Sequence, residues 1–138
     1  MQSKKVNNMF QKKIPQDVEI KIYNKVLKMT SQEVVENLIN IVGTKFTAYF
    51  AGINKTSTLK EWIRPGFDGD RPSTDNLNRM RDALHISKFI ATYESKMTTC
   101  AWLGGMNPEL GDRNPAELIR NGKDHAKVLH AAYIFIDN

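Results

Sequence analysis

Trp102 to Gly122 reads WLGGMNPELGDRNPAELIRNG, and the way this stretch folds decides the architecture around it. Two Asn-Pro pairs stand seven positions apart, and each opens a very short helix. At the second, Asn114 supplies a capping side chain, and Pro115 suits the first helical position, where a missing N–H costs nothing. Glu117 falls three residues after the cap, where its carboxylate can reach back to the cap's own N–H. Leu118 and Ile119 give the turn an apolar side, Arg120 complements the negative helix end, and Gly122 stops it. Asn107-Pro108-Glu109-Leu110-Gly111 repeats these start and stop signals around a single turn. Helices this short are marginal alone, since isolated helices in water need about 12 residues. They must be pinned to longer helices on both sides. Physics alone also permits the plain reading, a compact corner between helices with no further role.

The longer helices are present in the sequence. Pro65 to Pro72 is a loop, and Ser73 caps a long helix with Asp75 in its first turn. Leu77, Met80, Leu84, Ile90, Tyr93 and Met97 recur at helical spacing and predict one continuous helix through Trp102, bridging two halves of the molecule. After Gly122, Asp124 caps a last helix running to about Ile136, with Val128, Leu129, Ala132 and Phe135 along one side. Ala131, Tyr133, Ile134 and Ile136 make its final turns apolar nearly all round, so this end needs something to bury it.

Upstream, Thr44 to Arg64 reads as helix, turn, helix. Phe46, Phe50 and Ile53 face a core, Ala48 allows close helix approach, and Gly52 permits the turn. Leu59, Trp62 and Ile63 form the buried face of the second helix. Opposite them lie Lys55, Thr56, Ser57, Thr58, Lys60 and Arg64, cations and hydroxyls of the kind wanted on a helix entering the major groove. The alternative is an amphipathic pair with a merely solvated polar face. Leu59 and Trp62 fall seven and ten residues after Gly52, one residue beyond the commonest helix-turn-helix spacing. Before this pair, Ser31 caps a helix with Val34, Val35, Leu38, Ile39 and Val42 on one stripe and Gly43 at its end. From Gln16 to Met29 the pattern is double: Val18, Ile20 and Ile22 alternate as in a strand, while Val18, Ile22, Val26 and Met29 recur as on a helix. Its length and helical neighbours favour a helix. Residues 1–14 form a basic arm with Lys4, Lys5, Lys12 and Lys13 and no acid, suited either to solvent or to a phosphate backbone.

Composition narrows the function classes. A chain of 138 residues with 41% apolar content forms one domain, or two small halves sharing a core. A net charge of +5 favours an acidic partner, nucleic acid first. The lone Cys100 excludes an internal disulfide and reads as a small buried hydrophobe. No apolar run approaches the roughly 20 residues of a membrane span, and a cytoplasmic location is expected. His125 and His130 are five apart, off a common helix face, and no metal site, phosphate loop or nucleophile elbow occurs. No catalytic residue, metal or cofactor is therefore expected, and the chain does not read as an enzyme.

Trp102, Leu103, Asn107, Pro108, Leu110, Gly111, Arg113, Pro115, Leu118 and Gly122 together resemble the toxin-binding domain of the Xre/MbcA/ParS antitoxins. That family usually has Ser or Thr before the second Pro, where this chain has Asn114, a like-for-like cap. The turn Ala51-Gly52-Ile53 leading to Leu59 and Trp62 is also similar, so the resemblance runs from about Gly43 to the C-terminus. It implies an antitoxin of a type II pair whose partner is a RES-type, NAD-consuming toxin, blocked at its active site. It also implies a homodimer that represses its own operator DNA. The expected architecture is all-α: the arm 1–14, a helix-turn-helix DNA-binding half over 15–72, and a long helix with a small helical toxin-binding and dimerisation half over 73–138. The expected toxin-binding residues are Asn107, Arg113, Asn114, Tyr133, Ile134, Phe135 and Ile136, with Arg113 at the rim or bonded to a helix-end carbonyl. Two rivals remain open: a solitary helix-turn-helix regulator whose C-terminal half only dimerises, and an α-helical adaptor that binds no DNA.

Overall fold

The computed structural model describes residues 14–138, and these are all-helical. In chain order the helices are α1 (Gln16–Lys28), α2 (Ser31–Ala51), α3 (Ser57–Ile63), α4 (Thr74–Tyr93), α5 (Lys96–Gly104), α6 (Pro115–Arg120) and α7 (His125–Asp137). A 3₁₀ turn, Pro108–Leu110, lies between α5 and α6. The basic arm falls on residues 1–13, outside the described part, apart from Ile14.

The double pattern at residues 16–29 resolves as a helix. Ile22 and Val26, four apart, are buried, whereas Ile20, which alternation would bury beside Ile22, is 54% exposed. Helix α2 begins one residue earlier than expected, because Thr30 rather than Ser31 is the cap. The Thr30 hydroxyl accepts from the Glu33 amide, and the Glu33 carboxylate accepts from the Thr30 amide, satisfying two free donors reciprocally. Gly43 interrupts the helix at φ 88° and ψ 172°, a backbone region essentially closed to residues with a Cβ. The Thr47 hydroxyl donates to the Gly43 carbonyl at 2.7 Å across the kink. Helical segments 31–42 and 44–51 therefore meet at an angle set by one glycine.

The expected continuous helix from Ser73 through Trp102 is two helices. Ser73 caps α4 as anticipated, accepting from the Asn76 amide. The chain then turns extended at Glu94, and Ser95 starts α5 by accepting from the Thr98 amide at 3.0 Å. A serine in mid-pattern offers the backbone an alternative partner to the helical ladder, and here that alternative wins. Met97 consequently sits in the first turn of α5 and is 82% exposed, not part of the core stripe.

Helix α4 lies at the centre, with α1, α2, α5, α6 and α7 all packed on it. Met80, Ala83, Leu84, Ile86, Phe89 and Ile90 are fully buried, so α4 presents apolar side chains in several directions. Each large one contributes about 1.5–3 kcal/mol by leaving water. A single apolar cluster runs from Val26 of α1 to Ile136 of α7, so the halves anticipated from the sequence share one core. Among the described residues no helix is long and apolar enough to cross a membrane. Cys100 is only partly buried, with Sγ 3.7 Å from the Val42 carbonyl, and burial pushes its thiol pKa up.

Candidate nucleic-acid and partner-binding surfaces

Helix α3 is delivered by a glycine-capped turn. Gly52 takes a left-handed φ of 71°, its amide donating to the Tyr49 carbonyl and the Ile53 amide to the Ala48 carbonyl. Leu59 and Trp62 then plug the core, and the Trp62 indole N–H donates to the Asp70 carbonyl at 3.0 Å. Arg71 clamps the loop behind them, donating to the Trp62 and Phe67 carbonyls. The outward face carries Lys55, Thr56, Ser57, Lys60 and Arg64, all exposed, with Thr58 partly buried. Among the described residues Lys55, Lys60 and Arg64 form no ion pair; Arg64 lies over the Phe67 ring, 5.2 Å from its centroid. Glu61 is exposed on this same face, beside Lys60 and Arg64, and did not figure among the expected contacts. A carboxylate there repels phosphates but can accept from a cytosine amino group.

The Asn-Pro corner folds from its caps. The Asn107 side chain accepts from the Glu109 amide at 2.9 Å, and the Asn107 amide donates to the Arg113 carbonyl at 3.2 Å, closing the loop on itself. Gly111 makes the required left-handed turn at φ 65°, and Leu110 anchors it in the core. Asn114 caps α6 through the Glu117 amide at 2.8 Å. The Glu117 carboxylate does not return to the cap N–H as expected. It accepts from Arg113 Nη2 at 3.0 Å instead, and both side chains are nearly half exposed. A guanidinium four residues away competes better for that carboxylate than one neutral amide, and the exposed pair contributes about 0.2–1 kcal/mol at most. Gly122 closes α6 as expected, its amide donating to Ile119 and the Lys123 amide to Leu118. Asp124 does not cap α7: its φ is 57°, where a cap needs extended backbone, and its side chain bonds nothing there.

The apolar end of α7 is mostly buried by the chain itself. Ile136 is fully buried, Tyr133 packs on Phe89 at 4.7 Å between ring centroids, and Phe135 lies 6.0 Å from Trp102. Burial, followed by the nearby Glu19 charge, raises the Tyr133 hydroxyl pKa. The expectation that this end waits for a partner to bury it is therefore corrected for Ile136 and reduced for Tyr133. What stays open is a groove of 380 Å³ where Asn107, Ile134 and Phe135 meet Trp102, Pro108 and Met106, with Met106 81% exposed at its lip. Arg113 and Asn114 line two other, separate hollows. Three of the seven expected partner-binding residues thus converge, and Met106 joins them unforeseen.

This end is also not the sole exposed apolar surface. Ile20, Tyr23 and Leu27 are 54%, 41% and 51% exposed, at i, i+3 and i+7 along α1. Their spacing places them on the side of α1 away from buried Ile22 and Val26. No group of three His, Cys, Asp or Glu among the described residues can hold a metal ion. No family model, no curated protein and no solved structure matches this chain.

Proposed function

We propose that this chain is the antitoxin of a type II pair, binding a RES-type, NAD-consuming toxin through its C-terminal groove and its own operator through α3. The observation that carries the reading is the groove between the Asn107–Pro108 turn and the end of α7. It presents an exposed methionine and partly exposed Ile134 and Phe135 beside a corner capped by Asn107 and Asn114. Preformed apolar concavities with a flexible thioether lip are favourable docking sites for a protein side chain. A homodimer on a two-fold operator completes the reading.

The test is co-expression with the toxin encoded beside it, measuring complex recovery, growth and NAD level. Met106→Asp places a charge on an exposed position, so the fold should survive while toxin binding weakens by about 2 kcal/mol, roughly thirty-fold in Kd. A folded M106D chain that protects fully would remove the groove from the interface.

For DNA, Lys60→Ala or Arg64→Ala should weaken binding to the upstream region and reduce the slope of log K against log salt by about 0.9 per lost phosphate contact. Filter binding across a salt series reads this directly. Salt-insensitive or absent binding would favour the adaptor, in which the polar face of α3 is only solvated. The self-burial of Ile136 and Tyr133 supports a second reading, a solitary helix-turn-helix regulator with no toxin, whose C-terminal half only dimerises. Failure of every co-expressed toxin to co-purify, with operator binding intact, would select it.

A further inference from the structure

His85, in the middle of α4, has a side chain only 4% exposed, yet both ring nitrogens are engaged. Nε2 lies 2.6 Å from a carboxylate oxygen of Glu19 on α1, and Nδ1 lies 3.0 Å from Nε2 of His125 at the start of α7. The Tyr23 ring covers His85 at 5.0 Å, and Asp82, one turn earlier on α4, interacts electrostatically with both histidines. One partly buried chain of hydrogen bonds therefore ties the first, central and last helices together.

Proton placement in this chain is restricted. The Glu19 carboxylate only accepts, so His85 Nε2 carries a proton toward it. His85 Nδ1 must then accept, and the proton between the rings belongs to His125 Nε2. One further proton fits on the outer nitrogen of His125, leaving every bond intact. A second has only His85 Nδ1 available, where two N–H groups would face each other at 3.0 Å and two imidazolium rings would share a buried site.

We propose that Glu19, His85 and His125 form a pH-sensitive latch that holds the start of α7 on the central helix and opens when both rings are protonated. The consequence for partner binding rests on the function proposed above: α7 carries Ile134 and Phe135 into the groove, so the open latch withdraws that face. Burial is the main cause holding the His85 pKa below its ordinary value, against the Glu19 bond that raises it. The unfolded chain then binds more protons than the folded one, so the latch is intact above the ordinary histidine value of about 6.5 and weakens as pH falls below it. Asp82 acts in the opposite sense. Burial raises its pKa, so it takes up a proton more readily in the folded chain and partly offsets the loss in acid.

Hydrogen exchange of the isolated full chain tests this without any toxin. After correction for intrinsic rates, protection of amides in α7 should fall about tenfold or more between pH 7.5 and 5, while segment 31–42 keeps its protection. His125→Gln supplies an amide that donates to His85 Nδ1, or turns its oxygen to accept from it, so α7 in H125Q should stay protected throughout. Unchanged protection of α7 in the unsubstituted chain, or an equal fall in H125Q, overturns the latch. A pH-dependent α7 in a chain that binds no toxin at either pH retains the latch and refutes only the antitoxin reading.

Discussion

Trp62→Ala should lower the unfolding free energy by about 3–5 kcal/mol, as truncation of a large buried side chain does elsewhere. The indole is 5% exposed, and its N–H bonds the Asp70 carbonyl, so alanine leaves a cavity and removes that tie to the following loop. Since a small domain has only about 5–15 kcal/mol to lose, the variant should melt well below the parent in a urea or thermal scan. The DNA binding proposed for α3, measured below that transition, should survive, because Trp62 faces away from Lys60 and Arg64. A W62A chain of normal stability that no longer binds DNA would place the ring on the nucleic acid instead.

Deleting Tyr133 to Asn138 should be comparably severe. The last turn supplies fully buried Ile136 and the aromatic contacts of Tyr133 with Phe89 and Phe135 with Trp102. Loss of one buried aliphatic side chain alone costs about 2–5 kcal/mol, and the aromatic pairs add to it. Circular dichroism of the truncated chain should therefore show a greatly lowered melting temperature, and the DNA binding proposed for α3 should fall with it. A truncation that stays folded and binds DNA normally would show that α7 is an appendage, not part of the core.

The two predictions differ in how readable their grounds were. Trp62 announces its burial through Leu59 and Ile63 on the same helical face, a local pattern. The Asn107 and Asn114 caps were equally local: a side chain, a proline and an amide two or three residues on. The break at Ser95 was not, because the apolar spacing continues to Met97 and only the competing Ser95 cap cancels it. Whether Ile136 meets solvent, a partner or its own core depends on where α4 runs, which no window of sequence contains. The Glu19–His85–His125 chain joins residues 66 and 40 positions apart, so histidine spacing, useful for metal motifs, could not reveal it. At the groove, Ile134 and Phe135 were readable as an apolar helix end, and Met106 became visible only once the corner was folded beside them.

Because Leu59 and Trp62 behind one surface and Ile136 behind the other belong to one apolar cluster, the molecule has no natural seam at which to be cut. Heat or denaturant should disassemble it in one cooperative transition, with calorimetric and van't Hoff enthalpies in agreement. Occupancy at either end then insures the other against unfolding. A ligand at a hundred times its Kd adds about 2.7 kcal/mol to the whole fold, and that reserve is felt at the far surface as much as at the contact itself.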